Sequence, residues 1–274
     1  MNRSTGTLWM RPAAAGGAGV APESPPASRE DGGAGEARAE AKAEAKIERF
    51  APASSRSTVR RKPQRASYDP EVVFAILDAG LVAHVAFVHD GHPFVIPMVY
   101  ARKDRELMLH GSAASRMLEL GAGGAPVSAC VTLIDGLVYG HSAFHHSMNY
   151  RSVVVLGRAR EVVAEPEKRE FLAALVERSS PGRSRLVRPP SAKELAATRV
   201  LALPIEEASA KIRTGGPLID AEDLAVPVWT GQLPVALRAM SHIPPPDDER
   251  SQALRDGDPD PARFAPPARP RGVD

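Results

Sequence analysis

Residues 94–116 read FVIPMVYARKDRELMLHGSAASR. Two β-forming segments, 94–100 and 106–110, flank the polar turn Lys103-Asp104-Arg105, a spacing that is typical of a hairpin. A third β-forming segment, 82–88, precedes them, and the Asp90-Gly91 pair that follows it is the strongest short signal for a tight hairpin turn. The stretch therefore predicts a meander of three antiparallel strands.

The same pattern continues toward residue 205. Pro70 at a first helical position and Gly80 as a stop predict one helix, and apolar spacing predicts two more. About six strands with short connections and few helices indicate a mainly β fold, an antiparallel barrel that is closed or nearly closed. We predict helices at 70–79, 113–120 and 166–178, and further strands at 126–134, 137–144, 152–163 and 200–205, with a turn at Asp135-Gly136.

Composition divides the 274 residues into three parts. Residues 1–67 and 244–274 are rich in Pro, Ala, Gly and charge, and they lack the apolar content that offsets the entropy of ordering a chain. We predict that both are disordered tails. Residues 68–243 have regular apolar patterning, enough for one domain with a sizeable core.

Several classes of protein are disfavoured by composition. The net charge is only +2, so nucleic-acid binding is not indicated. No run approaches the roughly 18 apolar residues of a membrane span. The N-terminus lacks a continuous apolar signal region, and the single cysteine, Cys130, lies in an apolar run. We expect a cytoplasmic protein in which Cys130 is a core residue.

The end of the 106–110 strand carries the first chemical signal. His110-Gly111-Ser112 is followed at once by a predicted helix, for which Ser112 is a good N-cap. Helix N-termini attract anions, and Gly111 allows a close backbone approach. Arg116, one turn later, has a planar fork that suits a phosphate. Because Ser-capped helices with an exposed Arg are common, these residues alone leave a phosphate site as one hypothesis.

Three segments together resemble the pyridoxamine 5′-phosphate oxidase-like family. Residues 94–116 are similar to its FMN-binding segment. FHHSMNYRSVVVLGRARE, residues 144–161, resembles its nitroimidazole-resistance branch, and PVWTGQLP, residues 227–234, resembles its C-terminal Trp-x-Gly segment. The resemblance implies an FMN-binding split β-barrel that forms a homodimer, with FMN at the subunit interface.

The resemblance also implies a set of cofactor-binding residues. Some would run beside the isoalloxazine edge, some would hold the phosphate and ribityl chain, three would lie near the cofactor, and one would approach from the second subunit. In that order they are Val95, Ile96, Pro97 and Met98; His110, Gly111, Ser112, Ser115 and Arg116; and Tyr150, Arg151, Ser152 and Trp229.

The sequence departs from the oxidases proper where they bind substrate. They place Lys after the phosphate Arg, where Met117 stands, and Lys and Gln where Tyr100 and Ser152 stand. Their Arg-Leu-His segment is replaced by Pro234–Arg238, which has no His. Cofactor binding is therefore better supported than pyridoxamine phosphate oxidation.

The functional hypotheses follow from these residues. We expect an FMN-dependent oxidoreductase that acts on a small planar acceptor, and we assign no catalytic acid or base because the flavin performs the redox step. A non-catalytic flavin-binding module and a haem-binding split-barrel protein are the alternatives. His141, His145 and His146 could bind a metal, but such spacing shares a face only on a helix. We predict no metal site there.

Overall fold

The computed structural model describes residues 52–239. Its strands are β1 (Ala66–Ser67), β2 (Val82–His89), β3 (His92–Lys103), β4 (Glu106–Ser112), β5 (Pro126–Tyr139), β6 (Ser147–Arg158), β7 (Arg160–Glu161), β8 (Thr198–Pro204), β9 (Glu207–Arg213) and β10 (Gly231–Pro234). Its α-helices are α1 (Pro70–Ala79), α2 (Arg116–Ala122), α3 (Glu165–Ser179) and α4 (Ala192–Ala197). Short 3-10 helices lie at Pro63–Arg65, Ala143–His145, Arg183–Arg185 and Ala221–Ala225.

Within the described residues, ten strands form one sheet in the order β1-β9-β6-β5-β2-β3-β4-β8-β7, and β10 pairs with β5. Every pairing is antiparallel. The mainly β fold with few helices is confirmed. The sheet curls until Val153 of β6 and Leu201 of β8 share one buried core, without hydrogen-bonded closure between β6 and β8 in residues 52–239. The barrel is split rather than closed.

Local turn and cap signals are confirmed. Asp90 and Gly91 have φ values of 50° and 76°, and His89 pairs with His92 across them. This is the left-handed two-residue turn that Asp-Gly favours. The Asp69 carboxylate accepts a hydrogen bond from Glu71 N at 2.9 Å and caps α1.

The turn predicted at Asp135-Gly136 is wrong. Strand β5 runs through it, with only a bulge between Ile134 and Gly136 in the pairing with β6. The reason is a long-range contact: β10 packs so closely that a Cβ on Gly136 would lie 3.0 Å from Leu233 O. The glycine serves a close approach between strands, rather than a reversal of the chain.

The predicted domain boundary at residue 68 is also too late. Strand β1 pairs with β9. Ser57 is buried, and Val59 N donates a hydrogen bond to Tyr68 Oη at 2.8 Å. Residues 1–51 and 240–274, which hold the rest of the predicted tails, lie outside the described residues. None of the helices within residues 52–239 is long and apolar enough to cross a membrane.

A second, smaller apolar cluster lies between the sheet and α3. Phe171 and Leu175 of α3 pack there with Met108 of β4 and Val200 of β8. Since successive side chains of a strand point to opposite faces, Leu107 and Leu109 of β4 lie in the main core instead. Helix α3 thus covers the outer face of β4.

Candidate functional site

The helix after β4 starts later than predicted. Strand β4 extends to Ser112, because Gly111 and Ser112 pair with Arg199 and Thr198 of β8. Helix α2 begins at Arg116, after Ser115 at the N-cap position. The Ser112 hydroxyl accepts a hydrogen bond from Ala114 N at 3.3 Å and supports a turn between strand and helix. The prediction of Ser112 as the N-cap is therefore wrong by three residues.

Arg116 is held beside strand β3. Its guanidinium carbon lies 5.3 Å from the centroid of the Phe94 ring, a cation–π arrangement, and Phe94 stacks on Phe87 at 5.5 Å. The residue is exposed, and no carboxylate of the described residues forms an ion pair with it. The Arg116 side chain therefore lies against β3, without a carboxylate partner among the described residues.

Strand β3 offers an open edge next to Arg116. Residues 92–99 pair only with β2 in the described part of the chain, and β4 joins β3 from Tyr100 onward. Val95, Ile96 and Pro97 are exposed and Met98 is half-buried against the core. An unpaired edge presents backbone N–H and C=O groups that can bind a ligand. These are the groups that the resemblance assigns to the flavin edge.

The predicted residues on β6 already have partners within the chain. Arg151 donates two hydrogen bonds to the Asp135 carboxylate, at 2.7 and 2.9 Å, and both side chains are largely buried. The Ser152 hydroxyl donates to Lys211 O at 3.3 Å. Tyr150 pairs across the sheet with Arg213. Arg151 and Ser152 are therefore engaged in the sheet and its bulge.

Arg213 is a buried cation to which sequence reasoning gave no definite role. Its guanidinium donates to Asn149 Oδ1 and to the carbonyls of Gly215 and Gly216 at 3.1 and 3.0 Å. Asn149 Nδ2 in turn donates to Gln232 Oε1 at 2.7 Å. Burial lowers the pKa of Arg213. This network fastens the chain after β9 and strand β10 to β6.

Trp229 lies at the far end of β5. Its ring is 5.5 Å from that of Tyr139 and 67% of the residue is exposed. Strand β2, which pairs with β3, meets β5 at Ser128, and Tyr139 is eleven residues further along (139 minus 128). At about 3.3 Å per residue that is roughly 35 Å of strand. Within one chain the structure does not bring Trp229 to Arg116.

His110 faces away from the main core, toward α3. Its ring meets Phe171 edge-on at 6.2 Å, and its Nδ1 is buried without a hydrogen-bond partner among the described residues. Burial lowers the pKa of His110. The ring lines a cavity of about 750 Å³ that Arg116 and Ser112 do not line. The side chain of His110 is thus separate from the Arg116 turn, although its backbone belongs to β4.

Two of the three histidines, His145 and His146, form hydrogen bonds with other residues of the chain. His145 Nε2 lies 2.8 Å from Asp220 Oδ2, and the ligand atoms of His145, Asp220 and Asp223 lie within 4.8 Å of one another. His146 Nδ1 lies 2.9 Å from Ser142 O. Acidic side chains at a surface adopt such positions without an ion, and we assign none here.

The fold is a split antiparallel barrel, and the exposed Arg116 lies beside the open edge of β3. The sequence model of the family described as "Pyridoxamine 5′-phosphate oxidase" matches residues 69–212, just over half of the chain. The chain belongs to this flavin-binding family. None of the curated proteins matches it.

Two solved structures share much of this sequence. The flavocytochrome Anf3 from Azotobacter vinelandii is 40% identical, with 73% of this chain and 92% of that chain covered and a TM-score of 0.69. The FAD and heme binding protein from Mycobacterium smegmatis is 38% identical, with 67% and 90% covered and a TM-score of 0.64. A third, from Bacteroides thetaiotaomicron, is described as a candidate 5-nitroimidazole antibiotic resistance protein, with 18% identity, coverage of 54% and 86%, and a TM-score of 0.44.

Proposed function

We propose that this protein is a flavin-dependent oxidoreductase whose flavin phosphate binds at Arg116 and whose ring edge lies along Val95–Met98. The observation that carries the proposal is the position of Arg116, a cation with no carboxylate partner in the described residues, against Phe94 on the unpaired edge of β3. A phosphate accepts bidentate hydrogen bonds from such a guanidinium.

The residues around Arg116 support the rest of a flavin site. The exposed side chains of Val95 and Ile96 are apolar and lie on opposite faces of β3, and the β3 backbone between them offers donors and acceptors for polar ring atoms. The flavin supplies electron or hydride transfer when bound. The chain binds and orients it, and leaves the exposed ring face to a small planar acceptor.

FMN is the flavin that we propose, because the turn provides a site for a single phosphate. FAD is the second candidate, since the Mycobacterium smegmatis relative is described as an FAD and heme binding protein. Mass spectrometry of the flavin released from the purified protein separates the two, because FAD carries an additional adenosine monophosphate.

We further propose that the flavin lies between two copies of the chain. Val82, Val88, Val95 and Val99 lie on one face of the β2–β3 hairpin, and each is 40–61% exposed. This face also carries the exposed His84, and a group of exposed apolar side chains of this kind is typical of a protein interface. A second copy would cover it and could bring its own Trp229, itself remote from Arg116 within one chain, to the flavin.

Haem binding is a second candidate function, in addition to the flavin. The two relatives at 38–40% identity are described as a flavocytochrome and as an FAD and heme binding protein. The imidazole of His110 lines a cavity of about 750 Å³, so a nitrogen ligand and a space of suitable kind occur together within this chain.

The flavin proposal is tested by Arg116→Ala. Purified wild-type protein should show a flavin absorbance band, and the variant should lose at least about tenfold in flavin affinity, since a phosphate would lose a bidentate charged partner. Arg105→Ala is a matched control, because Arg105 also lies over a phenylalanine ring, that of Phe74. Equal flavin content in all three proteins would overturn the site.

The oxidoreductase proposal needs a separate measurement. Stopped-flow mixing of the flavin-loaded protein with NADH or NADPH should bleach the flavin band, and a nitroaromatic acceptor should restore it. A flavin that neither donor reduces, and that no acceptor reoxidises after chemical reduction, would make the protein a non-catalytic flavin-binding module.

A further inference from the structure

The cavity beside His110 is large and mostly apolar. Its volume of about 750 Å³ falls within the roughly 300–1,000 Å³ of small-molecule and cofactor sites. One wall is the outward face of α3, and the opposite wall is the chain between the 3-10 helix Arg183–Arg185 and α4. Its apolar lining includes Leu172, Leu175, Val176, Val187 and Pro189. Such a space suits a flat, apolar ligand.

His110 supplies the one unsatisfied polar group that is buried at this cavity in the described residues. Its Nδ1 has no hydrogen-bond partner there, and buried polar atoms are normally paired because an unpaired one is costly. The residue sits on β4, where it pairs with Val200 of β8 and follows Leu109, which pairs with Tyr100 of β3. Burial lowers the pKa of His110 and thereby favours the neutral imidazole, the form that binds a metal.

Two arginines complete the chemistry of the cavity. Arg169 and Arg188 line it. Arg169 is already held by Glu165 and by Pro190 O at 2.6 Å. Arg188 donates to Pro189 O at 3.1 Å and forms an exposed pair with Glu194, and exposed pairs add little stability in water. Arg188 can therefore exchange this partner for a carboxylate on a ligand.

We infer that this cavity is the haem pocket of the protein and that His110 is an axial ligand of the haem iron. The inference rests on the haem binding proposed above and adds its location. Haem is a flat apolar macrocycle with two carboxylates and an iron that a single histidine can hold. The apolar walls would contact the macrocycle, His110 would bind the iron, and Arg188 would form an ion pair with a carboxylate at the rim.

The flavin does not suit this cavity as well. Arg116, Ser112 and the open edge of β3 do not line it. Haem and flavin therefore have different residues, on opposite sides of β4, and can be removed one at a time.

The test is haem loading in variants that separate the two sites. Protein is expressed with 5-aminolevulinate, and haem per chain is measured by the pyridine haemochrome method and the Soret band. His110→Ala should lower haem affinity by at least about tenfold in a haemin titration, whereas flavin content is unchanged. Added imidazole should restore a Soret band by filling the vacated position. His92→Ala, which removes an exposed histidine at the β2–β3 turn, is the control.

A second variant guards against a folding effect of the first. Ala173→Trp places a large side chain at an exposed position of α3 that lines the cavity, and it should exclude haem while His110 is intact. Arg116→Ala should show the reverse pattern, with haem kept and flavin lost.

The outcomes distinguish this inference from the function on which it rests. Haem that binds equally well to wild type, His110→Ala and Ala173→Trp would overturn the location and leave haem binding itself intact. Wild type that carries flavin but takes up no haem would overturn the inference and leave the flavin site intact. A protein that takes up neither cofactor would contradict both.

Discussion

His110 and Arg116 are six residues apart in the sequence (116 minus 110), but their side chains lie in opposite kinds of surroundings. His110 lines a cavity that α3 and the segment before α4 form within one chain. Arg116 lies in the open, against a strand edge that has exposed residues around it. The walls of the His110 cavity come from a single chain, whereas no segment of the described chain covers the Arg116 site. The difference predicts that only the Arg116 site depends on a second copy.

Disruption of the proposed dimer should therefore have the largest effect, and it should lower flavin binding but not haem binding. Val99→Glu places a charge on the apolar face of the β2–β3 hairpin without changing a residue assigned to the flavin. We expect a monomer by light scattering and loss of most bound flavin, because a buried unpaired charge opposes association. Haem content should stay at the wild-type level.

The control for this variant is Val163→Glu, since Val163 is 81% exposed and lies after β7, away from the hairpin face. It should stay dimeric and yellow. A wild-type protein that is monomeric with a full complement of flavin would contradict the proposed interface, as would Val99→Glu protein that stays dimeric and flavin-loaded.

The two sites also differ in how much of each could be predicted from the sequence. Signals confined to a few neighbouring residues were read correctly: Asp90-Gly91 forms the hairpin turn, and Asp69-Pro70 starts α1. The strand at 94–100 followed from the same local patterns, whereas the contact of Arg116 with Phe94 was not predicted. This part of the site depends mostly on contacts that are close in sequence.

The errors have a common physical origin in contacts between distant segments. Helix α2 starts late because β8 pairs with Gly111 and Ser112, and β5 passes through Asp135-Gly136 because β10 packs over it. The short β10 carries little strand pattern of its own, so its pairing was not foreseen. His110 faces a cavity that exists only after α3 has packed on the sheet. No local pattern carries that information.

Substitution of Arg151 tests whether this residue belongs to the flavin site, and its expected effect is smaller. Its guanidinium binds the largely buried Asp135 carboxylate at the β5 bulge. If its role is structural, Arg151→Ala should lower the free energy of unfolding by about 1–3 kcal/mol, because the carboxylate loses its partner. Chemical denaturation measures this, and flavin affinity in the folded variant should be unchanged.

Arg151→Lys is the informative companion, since Lys keeps the charge but cannot form the bidentate pair. It should recover part of the lost stability. If instead both variants fold with wild-type stability and lose flavin, Arg151 would belong to the cofactor site as the family resemblance implies.

The smallest effect is expected from the ionisation of His110. Its pKa in the folded protein is lowered from 6.5 by burial, so below that pH the unfolded chain binds more protons than the folded one. The stability of cofactor-free protein should therefore be level above about pH 6.5 and fall as the pH decreases below it. His110→Gln, which cannot titrate, should remove this part of the slope. Unfolding curves at a series of pH values measure the difference between the two slopes.

Equal slopes would show that His110 is as well solvated in the folded chain as in the unfolded one, which contradicts burial of its ring. A steeper slope for the wild type would show that His110 is buried in a single chain.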